Sequence, residues 1–118
     1  MTASAPKDIF LRVTLGPDVA LGPGKAALLE GVARTGSISA AGRMLGMSYK
    51  RAWMLVEALN ECFDGPLVEA AKGGRGGGGA HLTPLGEQVL AAYRRMEDAS
   101  LKAIARDMAQ LRRHVRAA

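Results

Sequence analysis

The segment 37–63, SISAAGRMLGMSYKRAWMLVEALNECF, reads as two helices joined by a tight turn. Ser37 suits the cap of the first helix, because its hydroxyl can accept from one of the unpaired amides that open a helix. Ile38, Ala41 and Leu45 follow at spacings of three and four and so share one helical face. Ala40, Ala41 and Gly42 keep this helix thin, which lets a neighbour pack closely on it. Gly46 can enter the left-handed region that ends a helix. Met47 then plugs the turn and Ser48 caps the second helix. In that helix Ala52, Val56, Leu59 and Phe63 form a stripe that must face the core, while Tyr49, Lys50 and Arg51 open the helix on its other side.

A helix with an exposed, basic first turn can enter the major groove of DNA with its N-terminal side chains at the base edges. Its free amides and positive end also suit phosphate. The candidate DNA contacts are therefore Ser37 and Ser39, at the start of the first helix, and Ser48, Tyr49, Lys50, Arg51 and Trp53, at the start of the second. Trp53 has two readings, one at the edge of the core and one against the sugar–phosphate chain. An ordinary helical hairpin with a solvated charged face is the competing reading of the whole segment.

Downstream, Asp64-Gly65-Pro66 makes a turn, 67–72 reads as a strand, and 80–82 returns after the glycine-rich loop GGRGGGG. A hairpin placed directly after a recognition helix is a wing. Lys72, Arg75 and His81 lie in or beside the loop, and glycines let a backbone approach a phosphate chain closely. The loop lacks the Gly-Lys-Ser/Thr of a nucleotide-binding P-loop; a passive linker is the remaining rival. Thr83 caps the last element and Pro84 opens it, and with no glycine or proline after Gly86 one long helix is expected to reach Val115. Val89, Ala92, Tyr93 and Met96 make an apolar stripe, and Leu101, Ile104, Met108, Leu111 and Val115 continue it at the spacing of a two-helix seam. So small a domain cannot cover that length of helix, so Val89, Tyr93, Met96, Leu101, Ile104, Met108 and Leu111 are expected to pair with a second copy. The competing reading is a tail that frays as a basic, solvated extension.

Upstream, residues 1–7 are small, polar and expected to be disordered. The alternating stretch 8–15, DIFLRVTL, predicts a strand ended by Gly16-Pro17, and 18–22 a connection. Pro23 opens a helix running to about Thr35, with Ala26, Leu29, Val32 and Ala33 inward and Gly36 as its stop. Lys25, in the first turn, is either solvated or a phosphate contact. The expected fold is mainly α with a small β-hairpin: a winged helix-turn-helix over 8–83 and a long dimerisation helix over 84–118.

Composition is consistent with this reading. The 118 residues carry a formal charge of +5 and are 4% aromatic, with a pI near 9.9, which suits a polyanionic partner. The single Cys62 excludes an internal disulfide and a cysteine-rich zinc site. No apolar run approaches the roughly 20 residues that span a bilayer, and the N-terminus lacks the apolar centre of a signal peptide, so a cytoplasmic location without membrane contact is expected. The acidic residues fall on helix surfaces, His81 and His114 have no evident partners, and neither Ser-His-Asp nor metal-ligand spacing occurs. No catalytic residue, metal or cofactor is expected, and the chain is not read as an enzyme.

Taken together, GPGKAALLE at 22–30, TGSISAAGRMLGMSYKRAW at 35–53, PLVE at 66–69, GGRGGGGAHLT at 73–83 and Gly86 resemble the DNA-binding domain of the ModE family, bacterial molybdate-responsive transcriptional regulators, and more widely the LysR-type winged helix-turn-helix. The resemblance covers nearly the whole chain from about residue 20. It implies that Ser48, Tyr49, Lys50, Arg51 and Trp53 begin the helix that reads the major groove, that Lys72 to His81 form the wing, and that the last helix contributes to a dimer on a pseudo-palindromic operator. Full-length ModE-type regulators carry molybdate-binding domains after this region, whereas the sequence stops at Ala118, as a stand-alone relative or a fragment. Molybdate is not expected to bind this chain. The alternatives are a winged-helix module that binds protein, and a DNA-binding subunit working with a separate effector protein.

Overall fold

The computed structural model describes the backbone of residues 8–74 and 77–117, with side chains described up to residue 70 and again from 79. In chain order the elements are β1 (Val13–Gly16), β2 (Val19–Leu21), α1 (Pro23–Thr35), α2 (Ile38–Met44), α3 (Tyr49–Cys62), β3 (Val68–Gly74), β4 (Gly77–Leu82) and α4 (Pro84–Arg112). They form a winged helix-turn-helix with two antiparallel hairpins, β1–β2 and β3–β4, and a long last helix.

Helix α1 is the centre of the fold and touches α2, α3, α4 and β4. That central place explains why its buried face is wide: Ala26, Leu28, Leu29 and Val32 are all fully enclosed. Leu28 thus joins the core, whereas Ala33, expected inward, is exposed. Pro23 opens α1 and Gly36 closes it in the left-handed region at φ 70°. Close approach of the next two helices depends on missing side chains. A Cβ at Gly31 would lie 2.9 Å from Ala41 Cβ, and one at Gly42 would lie 3.0 Å from Ala52 Cβ. Small residues therefore set the spacing of α1, α2 and α3.

Three expectations about the segments are corrected. The strand expected over 8–15 is confined to Val13–Gly16, and the supposed connection contains its partner, β2. Only three residues of β2 are available to pair, and before them the Leu11 carbonyl accepts a hydrogen bond from Tyr93 Oη, so that segment is tied to α4 instead of a ladder. Leu45 does not continue the buried face of Ile38 and Ala41 but is 38% exposed at the turn. Helix α4 ends at Arg112; His114 and Val115 form only turn bonds to Leu111 and Arg112.

Most of the glycine stretch is ladder. β3 runs to Gly74 and β4 starts at Gly77, with Glu69 opposite His81 and Ala71 opposite Gly79. The hairpin is fastened at its base from three sides. Asn60 of α3 accepts from the amides of Leu67 (2.8 Å) and Val68 (3.1 Å) and donates to the Val68 carbonyl at 3.0 Å. Ala80 N donates to the Gly36 carbonyl at 2.8 Å. Thr83 Oγ1 donates to the Pro66 carbonyl at 2.6 Å while accepting from Gly86 N at 2.9 Å. A side chain at Gly86 would begin 2.1 Å from the Leu67 carbonyl oxygen, so only glycine lets α4 start this close to the wing.

Helix α4 is seated by charge as well as by Leu90 and Tyr93 in the core. Arg94 reaches Glu30 of α1 at 2.9 Å and Glu97, one turn on, at 2.8 Å. The three side chains are 11%, 12% and 3% exposed respectively. Beyond Leu101 the helix leaves the body, and its side chains are exposed except for the half-buried Met108.

Candidate nucleic-acid interface

The first turn of α3 has the properties expected of a groove-reading element. Ser48 Oγ accepts from Arg51 N at 3.1 Å, which fixes the helix start, and no acidic residue lies in that turn. With Ala52, Val56 and Leu59 buried, the helical rotation of about 100° per residue places Lys50, Met54 and Glu57 farthest from the core. All three are exposed, Met54 to 57%. Arg51 lies on one flank, beside Leu55. Tyr49 and Trp53 lie on the other, with rings in edge contact at a centroid distance of 6.2 Å and an interplanar angle of 63°.

The structure separates the residues grouped from sequence. Tyr49, 61% exposed, and Lys50 are open to solvent at the helix start. Trp53 is packed against the core, and its Nε1 is shielded from solvent with no hydrogen-bond partner among the described residues. Trp53 thus sits at the edge of the core, partly buried. Ser37 uses its hydroxyl as the α2 cap, accepting from Ala40 N at 3.0 Å, and Ser39 Oγ accepts from Arg43 at 2.9 Å. Lys25 Nζ donates to the Ala20 carbonyl at 3.0 Å. On the wing, His81 has a partner after all: its Nε2 lies 3.5 Å from Glu69 Oε1 across the β3–β4 pair. The Lys72 side chain and Arg75 lie outside the described residues.

Met54, Asn60 and the Arg94 cluster were not singled out from sequence. Met54 could have been found from its place one turn after Lys50. Asn60 gives no sequence signal, because its partners lie seven and eight residues on, across a turn. Glu30 and Glu97 belong to the buried set, contrary to the expectation that the acids sit on helix surfaces; the Arg94 guanidinium offsets their charge. Burial opposes the charge on Arg94, yet hydrogen bonds and attraction from Glu97 and Glu30 outweigh it and raise its pKa. Burial also raises the Tyr93 pKa, helped by the negative charge of Glu97 and opposed by Arg94.

The residues expected to pair with a second copy divide along α4. Tyr93 is fully buried within its own chain, so it has no surface to offer a partner. Val89 and Met96 pack partly on the same core. Ile104 and Leu111 are exposed, to 36% and 66%, as is Val115, to 71%; Leu101 and Met108 are half-buried. Among the described residues no group of three His, Cys, Asp or Glu could hold a metal ion, and no helix is long and apolar enough to cross a membrane.

Residues 25–87 match the family described as bacterial regulatory helix-turn-helix protein, lysR family. The molybdenum-pterin-binding protein MopB of Rhodobacter capsulatus is 53% identical over 77 residues, 65% of this chain and 28% of that protein. The DNA-binding transcriptional dual regulator ModE of Escherichia coli K12 is 38% identical over 86 residues, 73% of this chain and 33% of that protein. The chain thus spans about a third of the length of the curated relatives it matches. Among solved structures the CbnR_DBD–DNA complex matches with a TM-score of 0.58 and 24% identity, covering 75% of this chain and 95% of that one; the likeness is one of fold.

Proposed function

The chain belongs to the LysR family of bacterial regulatory helix-turn-helix proteins, and on that premise we propose that it is a ModE-like, dimeric, cytoplasmic transcriptional regulator that binds double-stranded DNA. The observation that carries this reading is the capped, acid-free start of α3, whose first turn presents Tyr49 and Lys50 to solvent and whose second presents Met54, beside a wing tied to the same helix by Asn60. Helix α3 enters the major groove. Lys50 hydrogen-bonds base acceptors such as guanine O6 and N7, and Met54 makes apolar contact of the kind a thymine methyl accepts. The wing, with Lys72, Arg75 and His81, grips the flanking backbone.

Dimerisation falls to the part of α4 outside the body, through Leu101, Ile104, Met108 and Leu111, with Val89 and Met96 at its base. Two-fold symmetry then implies a pseudo-palindromic operator whose half-sites are spaced by whole turns of about 10–10.5 bp. Selective molybdate binding is not part of this reading: among the described residues the helix starts attract oxyanions in general but form no closed ring of donors around one.

Binding of wild type and Lys50→Ala to a selected site and to random duplex tests the reading. Loss of one base contact costs about 1–3 kcal/mol at the selected site and little on random DNA; equal losses on both refute base reading by Lys50. Sedimentation tests the dimer: a monomer at micromolar concentration contradicts the α4 seam. Calorimetry tests the anion claim: micromolar molybdate binding that sulfate cannot match overturns it.

A further inference from the structure

Between the first hairpin and the helix-turn-helix lies a cavity of about 340 Å³, lined by Arg12, Lys25, Met47, Arg51 and Leu55 together with Ala20 and the start of α1. Three cations converge on it from three separate parts of the chain: the segment before β1, the first turn of α1 and the first turn of α3. No carboxylate lines it, and among the described residues none of the three is in an ion pair. Arg12 lies across the start of α1, with its Cγ 3.6 Å from where a side chain at Gly22 would begin. Lys25 is steadied by one bond to the Ala20 carbonyl and keeps two ammonium protons free. Met47 and Leu55 form the apolar floor.

We propose that this cavity seats a phosphate of the DNA backbone, so that the segment before β1 and the start of α1 add a third DNA-gripping element beside α3 and the wing. The inference rests on the DNA-binding reading above. Charge complementarity favours a polyanion, because three like charges without a counter-charge repel one another until an anion arrives. Continuity decides which anion. Arg51 sits on the flank of the same helix turn whose outer face presents Lys50, so a duplex lying against Lys50 brings its backbone past Arg51 towards Arg12 and Lys25. Arg51 is then a backbone contact and not a base reader, which separates its role from that of its neighbour Lys50.

The test measures binding of the full chain to random-sequence duplex between about 50 and 200 mM salt. Each phosphate contact contributes a slope of about 0.9 in log K against log salt, or roughly a 3.5-fold loss over that range. The Arg12→Gln/Lys25→Ala variant, having lost its hold on that one phosphate, should therefore lose about 3.5-fold less affinity across the range than wild type, and its weakening should be the same on selected and random DNA. Lys25→Arg, which conserves charge, should keep the wild-type slope, and unchanged melting of each variant separates charge from folding. An unchanged slope in the double variant, with wild type binding DNA normally, overturns the clamp alone. Absence of DNA binding by wild type overturns the functional reading with it. Micromolar binding of inorganic phosphate that the double variant loses would make the cavity a small-anion site and would also overturn the proposal.

Discussion

Removing Arg94 should do more damage than removing any exposed base of this chain. Its guanidinium lies 2.9 Å from Glu30 and 2.8 Å from Glu97, and all three side chains are nearly enclosed. Glu30 keeps a second partner, Arg34 at 3.2 Å, but Glu97, 2% exposed, keeps none among the ion pairs of the described residues. Arg94→Ala therefore strands a buried carboxylate, which costs about 3–5 kcal/mol, against the 0–1 kcal/mol typical of a surface pair. For a domain with about 5–15 kcal/mol of total stability, that is a large fraction. Urea unfolding followed by Trp53 fluorescence measures it. Adding Glu97→Gln to Arg94→Ala should restore part of the loss, because the stranded charge is gone; with the Glu97→Gln single variant the cycle gives the coupling between the two sites. A loss below about 1 kcal/mol for Arg94→Ala, or a double variant no more stable than the single, would refute the claim that this cluster fastens α4 to α1.

Two further outcomes follow from single atoms. Gly86→Ala should destabilise by about 2–4 kcal/mol, since overpacking costs about 1–3 kcal/mol and the new Cβ would meet backbone at 2.1 Å, disturbing the bond from Thr83 N to the Leu67 carbonyl. Gly24→Ala, in open space in α1, should instead gain about 0.4–1 kcal/mol; thermal melts of the pair check the opposite signs. Tyr93 has its pKa raised by burial, so the folded state favours the neutral phenol. That stability is fully present below the ordinary value of 10.0 and is lost as pH rises through the higher folded value. Tyr93→Phe should abolish this alkaline fall, and should cost about 1–3 kcal/mol at neutral pH by leaving the Leu11 carbonyl without its donor.

The local grammar of the chain was legible in the sequence. Ser37, Ser48 and Thr83 cap the helices that their positions suggested, Gly36 and Gly46 take the left-handed conformation, and Ala52, Val56 and Leu59 are buried as a stripe. These features depend on neighbours a few residues apart, where spacing carries the information. What escaped depends on partners far along the chain. Arg94 meets Glu30 across 64 residues, Tyr93 meets Leu11 across 82, and β2 is too short to announce itself. The different surroundings of Lys50 and Arg51 were hidden for another reason. Both are basic and adjacent, and only the folded chain brings Arg12 and Lys25 into one cavity with Arg51.

If α3 reads DNA sequence from its exposed first turn, selection from a random duplex library at physiological salt will reveal it. Wild type should enrich a pseudo-palindrome with half-sites spaced by whole turns of about 10–10.5 bp, and Lys50→Ala should still bind but lose its preference at one symmetric pair of positions. A wild-type pool that stays random, or a Lys50→Ala pool that enriches the same sequence as strongly, would mean that this turn of α3 does not read bases.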